Sequence, residues 1–191
     1  MRNPIAQFKK ALKRAERKGF PFPNAMALGT ASQSGTPSLR MMLLKGADSR
    51  GFVFYTNLRS QKGRELLRNP NAALCFWWPA LEEQIRIEGK TKRVSAKEAD
   101  RYFTTRPRGS QIGAWASRQS SALESRGALL AEFQEYEKKF KGKKVPRPSY
   151  WSGFILVPKR IEFWHGMPDR LHDRTIFIRR GKSWTRTKLY P

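Results

Sequence analysis

Four short stretches hold the residues best suited to chemistry. Arg40-Met41-Met42-Leu43-Leu44-Lys45 sets a cation at each end of an apolar run. Tyr55-Thr56 is followed closely by Ser60-Gln61-Lys62. Arg106-Pro107-Arg108-Gly109-Ser110 packs two guanidiniums, a glycine and a hydroxyl together. Arg170-Leu171-His172-Asp173-Arg174 places two arginines around a histidine and an aspartate. Arginine forks grip phosphate bidentately, and a serine-started helix beside a lysine makes a phosphate cradle. The residues therefore suit a phosphorylated ligand held beside aromatic rings. On an ideal strand Arg40 and Lys45 point to opposite faces, so they need not share a ligand. In an extended segment Arg170 and His172 point to one side, with Leu171 turned into the protein. Taken singly, each stretch also reads as ordinary structure: a core strand with charged ends, a capped helix, a solvated basic loop, a turn with a surface histidine.

Other chemistries find no support. The chain has no G-x-S-x-G, no H-E-x-x-H and no G-x-x-x-x-G-K-[ST]. Glu82 and Glu83 are adjacent, so on a strand they point apart and form no carboxylate pair. One cysteine and two histidines exclude a zinc-finger or His/Cys-rich metal site and any intrachain disulfide. No metal is expected.

The elements that must position these residues follow from periodicity. Ile5, Phe8, Leu12 and Ala15 recur at helical spacing and predict a helix over 4–18, stopped by Gly19 and Pro21. Strands are predicted over 25–30, 38–44, 52–56, 72–78 and 84–94. A short helix is predicted from Ser60 to Leu67. Ser95-Ala-Lys-Glu98 reads as a capping box opening a helix to about Thr105, ended by Arg106-Pro107. A further amphipathic helix is predicted over 123–140. After a basic loop come strands over 153–157, 160–164, 175–180 and 184–189, with Arg180-Gly181-Lys182 as a hairpin turn. Many short strands with inserted helices point to an antiparallel barrel of the α+β kind. Strict β-α-β alternation and a G-x-G-x-x-G fingerprint are both missing, which argues against a Rossmann domain.

At 191 residues the chain suggests one domain, with roughly 70% of its unfolded surface buried. Aromatics at 12% argue against disorder. The longest apolar run, 72–78, is far below the ~20 residues of a membrane span, and no apolar h-region follows the basic start. A cytoplasmic protein is expected. The net charge is +24. Residues 1–20, 138–148 and 174–191 hold +18 of it, so anionic partners are natural and solvated basic faces equally so.

Taken together and in order, the stretches carry a resemblance. Besides those above, it rests on Gly51-Phe-Val-Phe-Tyr-Thr-Asn57, Lys62-Gly-Arg-Glu-Leu66, Gln84-Ile-Arg-Ile-Glu-Gly89, Tyr102-Phe-Thr-Thr-Arg106, Ile112-Gly-Ala-Trp-Ala-Ser117, Gln119-Ser120 and Arg160-Ile-Glu-Phe-Trp164. From about residue 25 onward the chain resembles the pyridoxamine 5′-phosphate oxidase family. The resemblance implies an α+β, mainly β fold, the FMN-binding split β-barrel, an antiparallel barrel with peripheral helices. One domain would span 1–191: an N-terminal helix (1–20), a first barrel half (25–94), a helical insertion (95–140) and C-terminal strands (150–191). It implies a homodimer with FMN in each of two clefts between subunits. Arg40, Met41, Met42, Leu43, Leu44, Lys45, Tyr55, Thr56, Gln61, Lys62, Gln84, Gln119, Ser120, Trp164 and Arg174 would form the FMN site. Gln61 departs from the arginine usual there. Lys45, Tyr102, Arg106 and Ser110 would take the substrate phosphate, and Arg170, Leu171 and His172 the pyridine ring, with Arg170 and His172 as the catalytic pair. The activity implied is oxidation of pyridoxamine and pyridoxine 5′-phosphates to pyridoxal 5′-phosphate, with O2 as acceptor and H2O2 as product. Neither membrane nor nucleic acid is required. The alternatives are a phenazine-biosynthesis type of oxidase on the same barrel, and a non-catalytic module binding flavin, pyridoxal phosphate or nucleic acid.

Overall fold

The computed structural model describes residues 3–191. Residues 1 and 2, part of the basic first segment, lie outside the described residues. Helix α1 (Pro4–Arg17) starts where the Asn3 side chain accepts from the Ile5 N–H at 3.0 Å, with Pro4 in the first turn. Its inward stripe is Ile5, Phe8, Ala11 and Ala15. Phe8 meets Phe52 and Phe76 edge-on, with ring centroids 5.0 and 4.9 Å away. The helix thus closes the main core, whose other side is the inner face of the sheet.

That sheet has nine antiparallel strands: β1 (Ala25–Ala31), β2 (Pro37–Leu43), β3 (Gly46–Asp48), β4 (Gly51–Asn57), β5 (Asn71–Trp78), β6 (Glu83–Arg93), β7 (Trp151–His165), β8 (Asp173–Arg180) and β9 (Ser183–Leu189). The order is β2-β1-β5-β6-β7-β4-β3, with β8 and β9 following from β7. The expected α+β, mainly antiparallel architecture is what the chain adopts. Helix α2 (Gln61–Arg68) follows β4, and α3 (Ala96–Thr104), α4 (Arg108–Ala116) and α5 (Arg126–Lys139) separate β6 from β7. Around them lies a second cluster, in which Phe103, Ile112, Phe140 and Val145 pack on Trp151 at the start of β7.

Two expected strands, 153–157 and 160–164, are one. β7 runs through Pro158 without a break, and its partner changes instead. Residues 151–156 pair with β4, residues 160–165 pair with β8, and β6 lines the opposite edge throughout. Pro158 lacks an N–H, so it suits the handover point. Opposite it β6 bulges between Glu88 and Gly89, and a Cβ at Gly89 would lie 2.1 Å from the Val157 carbonyl oxygen.

Other readings need correction. β2 is an edge strand, not a core strand: Leu39, Met41 and Leu43 are exposed, because only β1 pairs with it. The stretch 106–110 is a loop only at Arg106 and Pro107 and is helical from Arg108 on. Pro107 caps α4, and burial of Ile112 and Ala116 outweighs the poor helix propensity of Gly109 and Gly113. The Ser95 box is half made. Ser95 accepts from the Glu98 N–H at 3.1 Å, but the Glu98 carboxylate turns to Arg50 at 2.8 Å. No described helix is long and apolar enough to cross a membrane.

Phe8 is fully buried between two rings, so Phe8→Ala should lower unfolding free energy by about 3–5 kcal/mol. Urea denaturation checks this, and a loss below about 1 kcal/mol would show that α1 does not close the core.

Candidate functional site

A cleft of about 780 Å³ opens between the ends of β2 and β4 and the α3–α4 pair. The chain from β2 contributes Met41, Met42, Leu43 and Lys45, and β4 contributes Tyr55 and Thr56. Tyr102 comes from α3, Ser110 from α4, Arg106 from the junction between them, and Gln119 from the loop that follows. Residues scattered over about 80 positions of sequence thus share one wall-to-wall space.

Its floor is aromatic. Tyr55 stacks on Tyr102 at 4.0 Å and on Trp151 at 5.3 Å, with the rings within 12° of parallel. Tyr55 lies across β7 because residue 153 is glycine: a Cβ there would meet its ring at 2.7 Å. Burial pushes the Tyr55 hydroxyl up to about 12, so it stays a neutral donor at physiological pH. Arg106 rests on the same floor with no carboxylate beside it. Its Nη1 is buried and has no hydrogen-bond partner among the described residues. Burial also lowers the pKa of this guanidinium.

Next to the cleft is the N-terminal end of α2. Ser60 caps it, accepting from the Gly63 N–H at 3.2 Å. Lys62 is buried, and its Nζ donates to Gln119 Oε1 at 3.2 Å, the oxygen that Thr56 also approaches at 3.4 Å. Burial first, and then the charge of Arg40, lower the pKa of Lys62. Arg40 itself turns away from the cleft. Its Nη2 donates to Ser38 Oγ at 2.6 Å and reaches Glu65 Oε2 at 3.4 Å, while its Nη1 donates to Thr30 Oγ1. Both hydroxyls donate hydrogen bonds to Glu65. Burial pushes the Glu65 carboxyl up, but those hydrogen bonds and one from Gln61 at 2.9 Å outweigh it and hold it below its ordinary 4.5. Leu44 is a core residue, and Ser120, exposed with φ 70°, lies outside the cleft lining.

The remaining expected residues form a second group. Gln84, Trp164 and Arg174 stand in one row across β6, β7 and β8. Trp164 lies 4.5 Å from the His172 ring, and Arg174 pairs with Glu162 at 2.7 Å. His172 Nδ1 accepts from the Met167 N–H at 3.2 Å, which leaves Nε2 to carry the proton of the neutral ring. The segment before it is not extended as expected. Asp169 and Arg170 have φ of 55° and 60° in a tight turn, and Leu171 is exposed rather than turned inward. None of this group lines the cleft.

Comparison with known proteins fits this division. A family profile described as "Pyridoxamine 5'-phosphate oxidase" matches residues 12–140. The chain belongs to the pyridoxamine 5′-phosphate oxidase family. A second profile, "Pyridoxine 5'-phosphate oxidase C-terminal dimerisation region", matches residues 151–191, which hold most of the second group. A pyridoxine/pyridoxamine 5′-phosphate oxidase from Rubrobacter xylanophilus is 52% identical over 99% of this chain and 87% of its own length. One from Anaeromyxobacter dehalogenans is 51% identical, covering 99% and 96%. Among solved structures, PhzG from Burkholderia lata, in complex with tetrahydrophenazine-1-carboxylic acid, superposes with a TM-score of 0.94 at 34% identity, covering 99% of this chain and 93% of its own. A pyridoxamine 5′-phosphate oxidase-related, FMN-binding protein from Nostoc punctiforme shares the fold, with a TM-score of 0.78 at 15% identity and full coverage of both chains. The fold is the split barrel of this oxidase family, and membership makes the chain an oxidoreductase.

Sequence reasoning missed Trp151 and the Thr30–Ser38–Glu65 set. Glu65 carried a faint signal, one helical turn after Lys62; Trp151 carried none. Because the Glu65 pKa is lowered on folding, its stabilisation is complete above about pH 4.5 and lost as pH falls through the lowered value. Glu65→Gln should lower stability at pH 7 by about 1–3 kcal/mol and flatten the acid side of a urea-midpoint curve. An unchanged acid slope would rule this network out as its cause.

Proposed function

We propose that the protein is an FMN-dependent oxidase of pyridoxamine 5′-phosphate and pyridoxine 5′-phosphate. The observation carrying this reading is Arg106: a buried guanidinium nitrogen with no partner, in a cleft it shares with Lys45, Tyr102 and Ser110. A phosphate dianion supplies the counter-charge such a site lacks. The fit for FMN rests on a second cationic locus. Lys62 is buried without a carboxylate ion pair, beside the Ser60-capped start of α2 and against Gln119. Two cationic loci suit two phosphorylated molecules.

In this reading Lys62, Gln119 and Ser120 hold the FMN phosphate and ribityl chain. Gln61 adds no charge where an arginine is usual. Arg40 contributes its charge, its Nη1 and Nη2 groups being engaged by protein oxygens. Residues 41–45, Tyr55 and Thr56 line the flavin. When bound, FMN would accept a hydride from the substrate C4′ carbon and pass two electrons to O2, giving H2O2. Lys45, Tyr102, Arg106 and Ser110 bind the substrate phosphate, and Tyr55 and Trp151 exclude water beneath it. His172 offers its Nε2–H to the pyridine hydroxyl, and Arg170 orients the ring. These two, with Gln84, Trp164 and Arg174, reach the cleft from a second copy of the chain. The match of residues 151–191 to a dimerisation region supports that pairing.

A second reading, a phenazine-type oxidase, draws support from the close superposition on PhzG. The greater identity to pyridoxine/pyridoxamine 5′-phosphate oxidases over the whole chain favours the vitamin B6 substrates. The visible spectrum decides among the readings. The purified protein should be yellow, should release FMN, and should bleach on anaerobic addition of pyridoxamine 5′-phosphate. Bleaching only by a reduced phenazine carboxylate would transfer the assignment, and a yellow protein bleached by neither would be a binding module.

The shared site makes its own prediction. Arg106→Ala and Arg170→Ala should each lower turnover by about 10²-fold or more, the scale of a lost positioning group. Refolded together in equal amounts, they should recover about a quarter of wild-type activity. Half the two-fold dimers are then mixed, and one of their two sites carries neither substitution. No recovery would mean that both residues serve the same chain.

A further inference from the structure

Arg106 is held in place without an acid. Its guanidinium carbon lies 4.7 Å from the Trp151 ring centre and 5.4 Å from that of Phe103. Trp151 is buried, and its backbone is fixed on both sides. Its N–H donates to the Pro148 carbonyl at 3.0 Å, and its carbonyl accepts from Arg147 Nη1 at 2.7 Å. Arg147 Nε in turn donates to Asp100 at 2.6 Å, on the helix that carries Tyr102 and Phe103. The Trp151 plane lies within 7° of both Tyr55 and Tyr102, so the ring cannot tilt without moving the floor of the cleft.

This arrangement solves a specific problem. A carboxylate would hold the guanidinium firmly, but it would also neutralise it and compete with an incoming anion. An aromatic face attracts the cation and occupies none of its N–H groups. Arg40 shows the other solution in the same molecule, with Glu65 behind it. We propose that Trp151 is a positioning residue: its indole face holds Arg106 charged and aimed for the ligand phosphate, and so sets the preference for phosphorylated over unphosphorylated substrate. The proposal rests on the phosphate reading of the cleft.

The test is a double-mutant cycle on the FMN-loaded protein, with Trp151→Leu, Arg106→Ala and both together. It reads kcat and KM for pyridoxine 5′-phosphate, and the inhibition constant of inorganic phosphate. Trp151→Leu should raise KM and the phosphate inhibition constant roughly tenfold, as expected for losing a desolvated cation–π contact, with a smaller change in kcat. In the Arg106→Ala background the same substitution should change neither constant. Trp151→Phe keeps a ring face and should recover most of the affinity. If Trp151→Leu does not fold, Trp151→Phe runs through the same cycle, and its smaller KM increase must vanish without Arg106. A Trp151 effect that persists undiminished in the Arg106→Ala background, or no effect on KM, overturns the positioning role alone. If Arg106→Ala itself leaves KM and phosphate inhibition unchanged, the phosphate reading fails and the proposal falls with it.

Discussion

Strand β7 is the constraint on which the rest depends. It is fifteen residues long, and its two ends carry the two separate groups of candidate site residues. Trp151 begins it and floors the cleft; Trp164 nearly ends it and anchors the second group. Thirteen residues of extended chain separate them, roughly 43 Å of strand. The handover from β4 to β8 at Pro158 is what permits such length: one edge of the strand is shared by two partners, and the sheet divides there. A strand this long cannot bring both of its ends into one pocket of the same chain. That length is what the proposed composite site answers, in which a second copy would supply what the first cannot reach.

The carboxylates sort the cations. Arg14 has Glu83, Arg50 has Asp48 and Glu98, Arg147 has Asp100, and Arg174 has Glu162. Each of those arginines joins elements of the fold. Lys62 is buried and Arg106 half-buried, yet no carboxylate forms an ion pair with either among the described residues; an amide oxygen meets one and an aromatic face the other. Leaving a buried cation unpaired is costly, and a fold retains such groups where a ligand completes them. The distinction between structural and ligand-directed cations is therefore a matter of local pairing, not of charge alone.

That distinction marks the limit of what the sequence conveyed. Periodicity found α1, the run of strands and the α+β class, because alternation and helical spacing are local. The family resemblance, not residue type alone, named Met41, Met42, Leu43, Lys45, Tyr55, Thr56, Tyr102, Arg106, Ser110 and Gln119, which line one cleft. Long-range effects stayed hidden. Nothing in Val157-Pro158 shows a strand continuing past a proline, since β6 and its bulge lie seventy residues away. Nothing in Arg106-Pro107-Arg108-Gly109 shows a helix, since α4 forms to bury Ile112 and Ala116. The Arg170 segment makes the turn that its plainer reading allowed, through left-handed backbone at Asp169 and Arg170 that residue type alone does not announce.

The same pairing logic bears on how two strongly basic chains come together. Directly paired residues of neighbouring strands share a face. Leu39, Gly29, Ala73, Glu88 and Arg160 form one row of the sheet, and Met41, Ala27, Cys75, Arg86 and Glu162 the next. The β2 side of this face is apolar and exposed at Leu39 and Met41. Its charged side is compensated, with Glu88 between Arg86 and Arg160, and Glu162 between Arg86 and Arg174. Much of the excess lies in the first helix and the 138–148 segment, but Lys90, Lys92, Lys159 and Arg179, the last from the final hairpin, line the same hollow as Leu39, Glu88 and Arg160. Screening over roughly 8–10 Å at physiological salt weakens the repulsion those cations would add to a contact made here. A second copy meeting the face that bears Leu39 and Met41 would meet those cations as well, so a contact there depends on that screening.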